Sequence, residues 1–166
     1  MKNGRLTAGG RTLFDGLSFR AEAGEVHYVD TLPVEAHTPL VHALMGLRAL
    51  DEGFVSIDGE VVTELSAPWM RRFMAYVPRR LRWPDEERFR GRTDEDIHGL
   101  LMENAAAGDS AIVFVEGLHG ADDEDLCRRM AQRGRTVVVC REPASTKAVE
   151  LNYEVREGEI FNQEMI

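Results

Sequence analysis

A chain of 166 residues with 43% apolar content is long enough to bury one core, and 29 acidic against 20 basic side chains give it a formal charge of -9. That acidic surplus speaks against a nucleic acid or an anionic membrane surface as partner, because both are held by basic patches. The longest apolar runs, 111–115 and 136–140, are too short to cross a bilayer, and no basic segment followed by an apolar stretch opens the chain, so a cytoplasmic location without direct membrane insertion is expected.

In chain order, short apolar segments alternate with helical ones, which predicts an α/β fold in which part of the sheet is parallel and the N-terminal portion antiparallel. Strands are expected at 5–8, 17–21 and 26–29, with turns at Gly9-Gly10 and Ala23-Gly24. Thr38-Pro39 reads as an N-cap followed by a first helical residue. A β-ribbon follows at 54–57 and 60–62 around the Asp58-Gly59 turn. A helical segment is predicted at 67–73 and a strand at 75–77. The run Thr93-Asp94-Glu95-Asp96 resembles a capping box, opening a helix over 93–107 that Gly108 ends. Buried strands are expected at 111–115 and 136–140, a helix at 122–133, and a closing hairpin at 153–156 and 159–161. No repeat or low-complexity tract interrupts the series, so one domain over 1–166 is expected.

Several of these segments resemble, in order and spacing, those of the ATP-binding cassette (ABC) ATPases. Gly24-Glu25-Val26-His27-Tyr28-Val29 followed by a loop and a helix closing on Gly46-Leu47 is similar to the family's strand, phosphate loop and first helix. Leu50 to Glu60 resembles its "p.sG.v.idG" ribbon, Ala75-Tyr76-Val77-Pro78 the approach to its glutamine loop, Ile112 to Glu116 its Walker B strand, 134–141 its "G.tvi.vtH" strand and 153–160 its final hairpin. The resemblance implies a P-loop NTPase-like core of the ABC type. The helical subdomain is largely deleted, because only about a dozen residues separate Arg79 from the place where the family's signature sequence would fall, Gly91-Arg92-Thr93-Asp94-Glu95. No counterpart of the family's C-terminal helices is expected after the last hairpin.

The family's chemistry does not survive in the residues that match it. A phosphate loop needs glycines that turn backbone N–H groups inward, a lysine for the outer phosphates and a hydroxyl for the metal ion. The matching positions carry Thr31, Val34 and Ala36 for the glycines, His37 for the lysine, and Thr38 for the hydroxyl. Arg79 matches the glutamine and cannot accept a hydrogen bond. Val115 matches the aspartate that holds Mg²⁺, Glu116 the catalytic glutamate, and Arg141 the switch histidine. Charge-assisted hydrogen bonds contribute about 1.5–3 kcal/mol each, so the lost lysine and N–H groups remove on the order of 5 kcal/mol. A micromolar site would weaken to roughly 10 mM.

The expectation is therefore a pseudo-ATPase: no catalytic residue, with Glu116 as a vestige; no cofactor site, with His37 and Thr38 as vestiges and neither ATP nor Mg²⁺ held; and no metal site. The five histidines lack ligand spacing, and the two cysteines, Cys127 and Cys140, read as reduced structural thiols. The acidic turn Glu116, His119, Asp122 and Asp123 is explained by helix capping as readily as by chemistry. Trp83 and Phe89, set among arginines from Arg79 onward, have the composition of a partner contact; a loop covering the core explains them as well. The expected role is a protein-interaction or regulatory subunit, its partner an ABC transporter component or a second copy of the chain, placing it at the inner membrane only through that partner. Two alternatives stand beside it: an ATP-binding subunit that works with an intact ATPase partner, and a small-ligand binder in the vacated site.

Overall fold

The two glycines at 9–10 both adopt positive φ, 55° and 74°, which closes a two-residue hairpin between β1 (Lys2–Ala8) and β2 (Arg11–Leu17). Pairing runs from Ala8↔Arg11 through Leu6↔Phe14 to Gly4↔Leu17, with irregular register on the way. The strand expected at 17–21 is thus displaced: it lies at Arg11–Leu17, because the Gly-Gly turn fixes where the chain returns and Phe14 must reach the core beside Leu6. The other edge of β1 takes β4 (Glu52–Phe54). Gly53 is required there. Its φ is +82°, and a Cβ would collide with the Asn3 carbonyl of the neighbouring strand. A short ribbon, β5 (Ser56–Ile57) and β6 (Glu60–Val61), turns at Asp58-Gly59 as expected. The computed structural model describes residues 1–81 and 91–142, so the expected 153–161 hairpin and the aromatic pair Trp83 and Phe89 lie outside the described residues.

The second sheet is parallel. Its order is β3 (Val26–Val29), β9 (Thr136–Cys140), β8 (Ile112–Glu116), β7 (Met74–Val77). The register aligns their carboxyl ends, with Val29 opposite Cys140, Cys140 opposite Glu116, and Val77 opposite Val115. Continuous apolar runs are what strands buried on both faces require. One face packs with α1 (His37–Leu44) and the antiparallel sheet, through Phe114, Val138 and Cys140 against Leu6, Phe14, Leu40 and Val41. The other face, carrying Val77, Val113, Val115, Val137 and Val139, packs on α3 (Asp94–Ala107) and α4 (Ala121–Gln132) through Met102, Cys127 and Met130. Both thiols are fully buried, and burial pushes each up to about 12, so they act as core side chains.

The helix signals hold where capping chemistry is complete. Thr93 accepts from the Asp96 amide while Asp96 accepts from the Thr93 amide, the reciprocal capping box read from the sequence. Between β6 and β7, α2 (Ala67–Met70) passes into a 3₁₀ turn, Arg71–Phe73.

Candidate functional site

In an open parallel sheet, ligands meet the loops beyond the carboxyl ends of the strands. Here those loops leave β3 at Asp30, β7 at Pro78, β8 at Gly117 and β9 at Arg141. The β3 loop does not open into a cradle. It tightens at Val34–Ala36 into a 3₁₀ turn that runs directly into α1, with Ala36 as the helix cap. The sequence expectation of Thr38 as N-cap and Pro39 as first helical residue is therefore corrected. Helical winding begins four residues earlier, and Pro39 falls inside the first α-helical turn, where its missing N–H has no intrahelical partner to lose. The Ala36 amide bonds the Pro33 carbonyl at 2.9 Å, so that donor is turned along the chain.

His37 is the inward side chain of this turn. It is 1% exposed, and its Nε2 lies 3.2 Å from the Leu32 carbonyl, which draws the ring back under the loop it follows. Its Nδ1 is buried without a partner among the described residues. Thr38, exposed at the surface, uses its hydroxyl differently from a cap: Oγ1 donates to Glu116 Oε2 at 2.8 Å. Tyr76 donates to the other oxygen, Oε1, at 2.5 Å. Burial, then the hydrogen bond and charge of Glu116, raise the Tyr76 pKa, so the phenol keeps its proton. Glu116, 3% exposed, is thereby bonded at both oxygens from β7 and α1.

Strand alternation decides the register of this site. Glu116 points to the α1 face with Thr38; Val115, one residue back, points to the opposite core beside Met102 and Met130. A carboxylate sharing an ion with the hydroxyl at the helix start must lie on the Thr38 face. Glu116 lies on that face, and Val115, matched in sequence to the metal-holding aspartate, lies on the opposite one.

Around this centre the cations are paired. Arg79 donates to Glu142 Oε1 at 3.2 and 3.3 Å, its guanidinium crossing Gly117, where a Cβ would approach Nε to 3.3 Å. Arg141 donates to Asp30 at 3.2 Å and lies 4.2 Å from the centroid of the Tyr28 ring. A second buried histidine, His98, braces three elements: Nδ1 lies 3.3 Å from the Pro78 carbonyl and Nε2 3.3 Å from Asp123 Oδ2, a close ion-pair distance out of line for a hydrogen bond. Its ring packs 4.3 Å from that of His119, while Asp123, in the first turn of α4, accepts from the His119 amide just ahead of the helix. Sequence reasoning missed the meeting of His98 with His119 and Asp123, which are far apart in the chain. It also missed Tyr76, whose one signal was a phenol on a strand position of the same parity as Glu116. No group of three or more His, Cys, Asp or Glu among the described residues is placed to hold a metal ion.

The two buried histidines make a pH prediction. Burial holds both His37 and His98 below the ordinary value of 6.5, outweighing the carbonyls of Leu32 and Pro78 and, for His98, the Asp123 charge. Unfolded chains take up protons near 6.5 that the native state refuses, so stability falls as pH drops below that value, by up to about 1.4 kcal/mol per unit for each ring. Urea titrations at falling pH, from neutral to mildly acidic, should show this decline, and His37→Gln with His98→Gln should flatten it. A flat parent profile would contradict it.

No family model matches the chain, and no curated protein matches it. Solved structures do. An ATP binding subunit of an ABC transporter superposes at TM-score 0.61 and 16% identity, covering 87% of this chain and 79% of that one. CbiO1 from Clostridium perfringens, part of the ABC transporter complex cbiONQ, gives 0.56 and 11%, covering 86% and 76%. A nucleotide-free ATP-binding cassette from an ABC transporter gives 0.60 and 13%, covering 85% and 79%. The fold is that of an ABC-type ATPase core, α/β and P-loop NTPase-like, as the sequence resemblance implied.

Proposed function

We propose that this domain has given up the nucleotide site of its fold and works as a non-catalytic protein-interaction or regulatory subunit. The observation that carries this reading is the His37 ring, buried under the turn where a phosphate loop would hold its anion and bonded back to Leu32. The residues present do not fit a nucleotide with its metal ion. The 3₁₀ turn points the Ala36 amide along the chain, the only hydroxyl at the helix start is taken by Glu116, and the nearby guanidiniums of Arg79 and Arg141 are matched by carboxylates. Lost charge-assisted bonds of about 1.5–3 kcal/mol each leave too little affinity for a cellular nucleotide.

A protein partner accords with the acidic surface and with the setting of the fold: cbiO1 is part of a transporter complex. No helix among the described residues is long and apolar enough to cross a membrane, so an association with one would run through that partner. We assign the partner contact to the stretch after β7, with Trp83 and Phe89 as its aromatic anchors. Arg79, grouped with them on sequence grounds, turns inward to Glu142, with its side chain 32% exposed, and serves the loop first.

Calorimetry with MgATP at about 1 mM should show no saturable heat, and phosphate release should match a buffer blank. Saturable binding at about 100 µM or tighter, near 5.5 kcal/mol, would overturn the reading.

A further inference from the structure

A cavity of about 560 Å³ opens at the other end of the parallel sheet, where β8 and β9 begin. It is roughly 15 Å, one strand length, from the Glu116 site. Its size falls in the range of small-molecule sites. The floor is the α1-facing side of the sheet, Ile112, Phe114 and Val138, and the walls come from α1, α2 and the β5–β6 ribbon. At its mouth stand Trp69 and Phe73, 59% and 47% exposed, with ring centroids 5.1 Å apart in an edge-to-face pair. Large aromatic rings left this open over an apolar floor offer a ligand both contact area and negatively polarised faces.

The charges of the lining are of one sign. Asp58 and Glu60, flanking the ribbon turn, are its only charged side chains among the described residues, and both are exposed. The one basic group on a lining residue, the Met1 amine, donates to the Phe19 carbonyl at 3.0 Å. Apolar floor, aromatic lip and two carboxylates with no cation against them among the described residues form one recognition surface.

We propose that this cavity binds an organic cation with an apolar body, the body against Trp69, Phe73 and the strand face and the charge beside Asp58 and Glu60. The reading is independent of what happens at Glu116.

Tetraphenylphosphonium and tetraphenylborate test it, since the two ions share a shape and differ in sign. With the full chain, the indole N–H resonance of Trp69, identified by its loss in Trp69→Phe, should shift saturably with the phosphonium. It should respond to the borate at least about tenfold more weakly, a factor worth about 1.4 kcal/mol. Asp58→Asn with Glu60→Gln should bring the two ions to near parity. Asn tolerates the positive φ of 50° at position 58, so the turn survives. Glu103→Gln with Asp122→Asn, which makes the same change in net charge at exposed positions on α3 and at the start of α4, away from the cavity, should leave the preference intact. No saturable shift with either ion, equal binding of both, or a preference that the second pair of substitutions removes equally well would each overturn the proposal.

Discussion

Val115→Asp should destabilise the protein severely at neutral pH, by about 4 kcal/mol or more. The substitution looks like a repair, since it writes an aspartate into the strand position that matches the family's metal ligand. Val115, however, is fully buried, among Val77, Val113, Met102 and Met130, on the face away from Thr38. An ionised carboxylate there has no partner, and the cost of about 4 kcal/mol or more is a large part of a domain stability of about 5–15 kcal/mol. Burial would raise the new group's pKa. The penalty is thus smallest below the ordinary aspartate value of about 3.9 and grows as pH rises. Thermal unfolding should find the midpoint gap between variant and parent widening from about pH 4 to 7. A folded variant with a parent-like midpoint that binds Mg²⁺ would show that the strand register drawn above is wrong.

Glu116→Ala should cost about 3 kcal/mol. It removes two charge-assisted hydrogen bonds, each contributing about 1.5–3 kcal/mol, and the exposed Thr38 hydroxyl recovers part of its loss from water. Tyr76, half-buried against the core, recovers less. Tyr76→Phe alone should cost about 1–2 kcal/mol. The double variant should lie well short of the sum, because the two substitutions delete the same bond. Urea unfolding of the four proteins completes the cycle. A neutral or stabilising Glu116→Ala would mean that the carboxylate is held in place at the expense of stability, as groups kept for a ligand are.

Much of the fold is legible along the chain because its signals are local. Thr136–Cys140 is an apolar run bounded by turn chemistry, and the strand has those limits. Thr93 and Asp96 carry a capping box in their spacing alone. The N-terminal hairpin was harder. Gly9 and Gly10 announce a turn, yet the following Arg11–Leu17 has no clean alternation, because a bulged register at the pairing with β1 breaks the period of two. The start of α1 misled for a similar reason. Thr38-Pro39 has the composition of a helix start, but the 3₁₀ turn at Val34–Ala36 has already led the chain into α1, so Thr38 lies inside the helix, where its hydroxyl donates to the Glu116 carboxylate brought across from β8.

From sequence alone, then, came the α/β alternation, the cassette-like order of segments, and the residue types, Thr31, Val34, Ala36 and His37, that stand where the resemblance places a phosphate loop's glycines and lysine. Residue type determines those, since a side chain without an N–H, a lone pair or a positive charge lacks it in any fold. Only the tertiary structure decided which groups face one another. Parity in β8 separates Glu116 from Val115 by turning successive side chains to opposite faces. The parallel register sets Tyr76 and Thr38 on that same carboxylate, and the packing of α3 against α4 joins His98 to Asp123. Such pairings cross tens of residues, and the burial of both faces of the sheet, a property of the whole core, selects them.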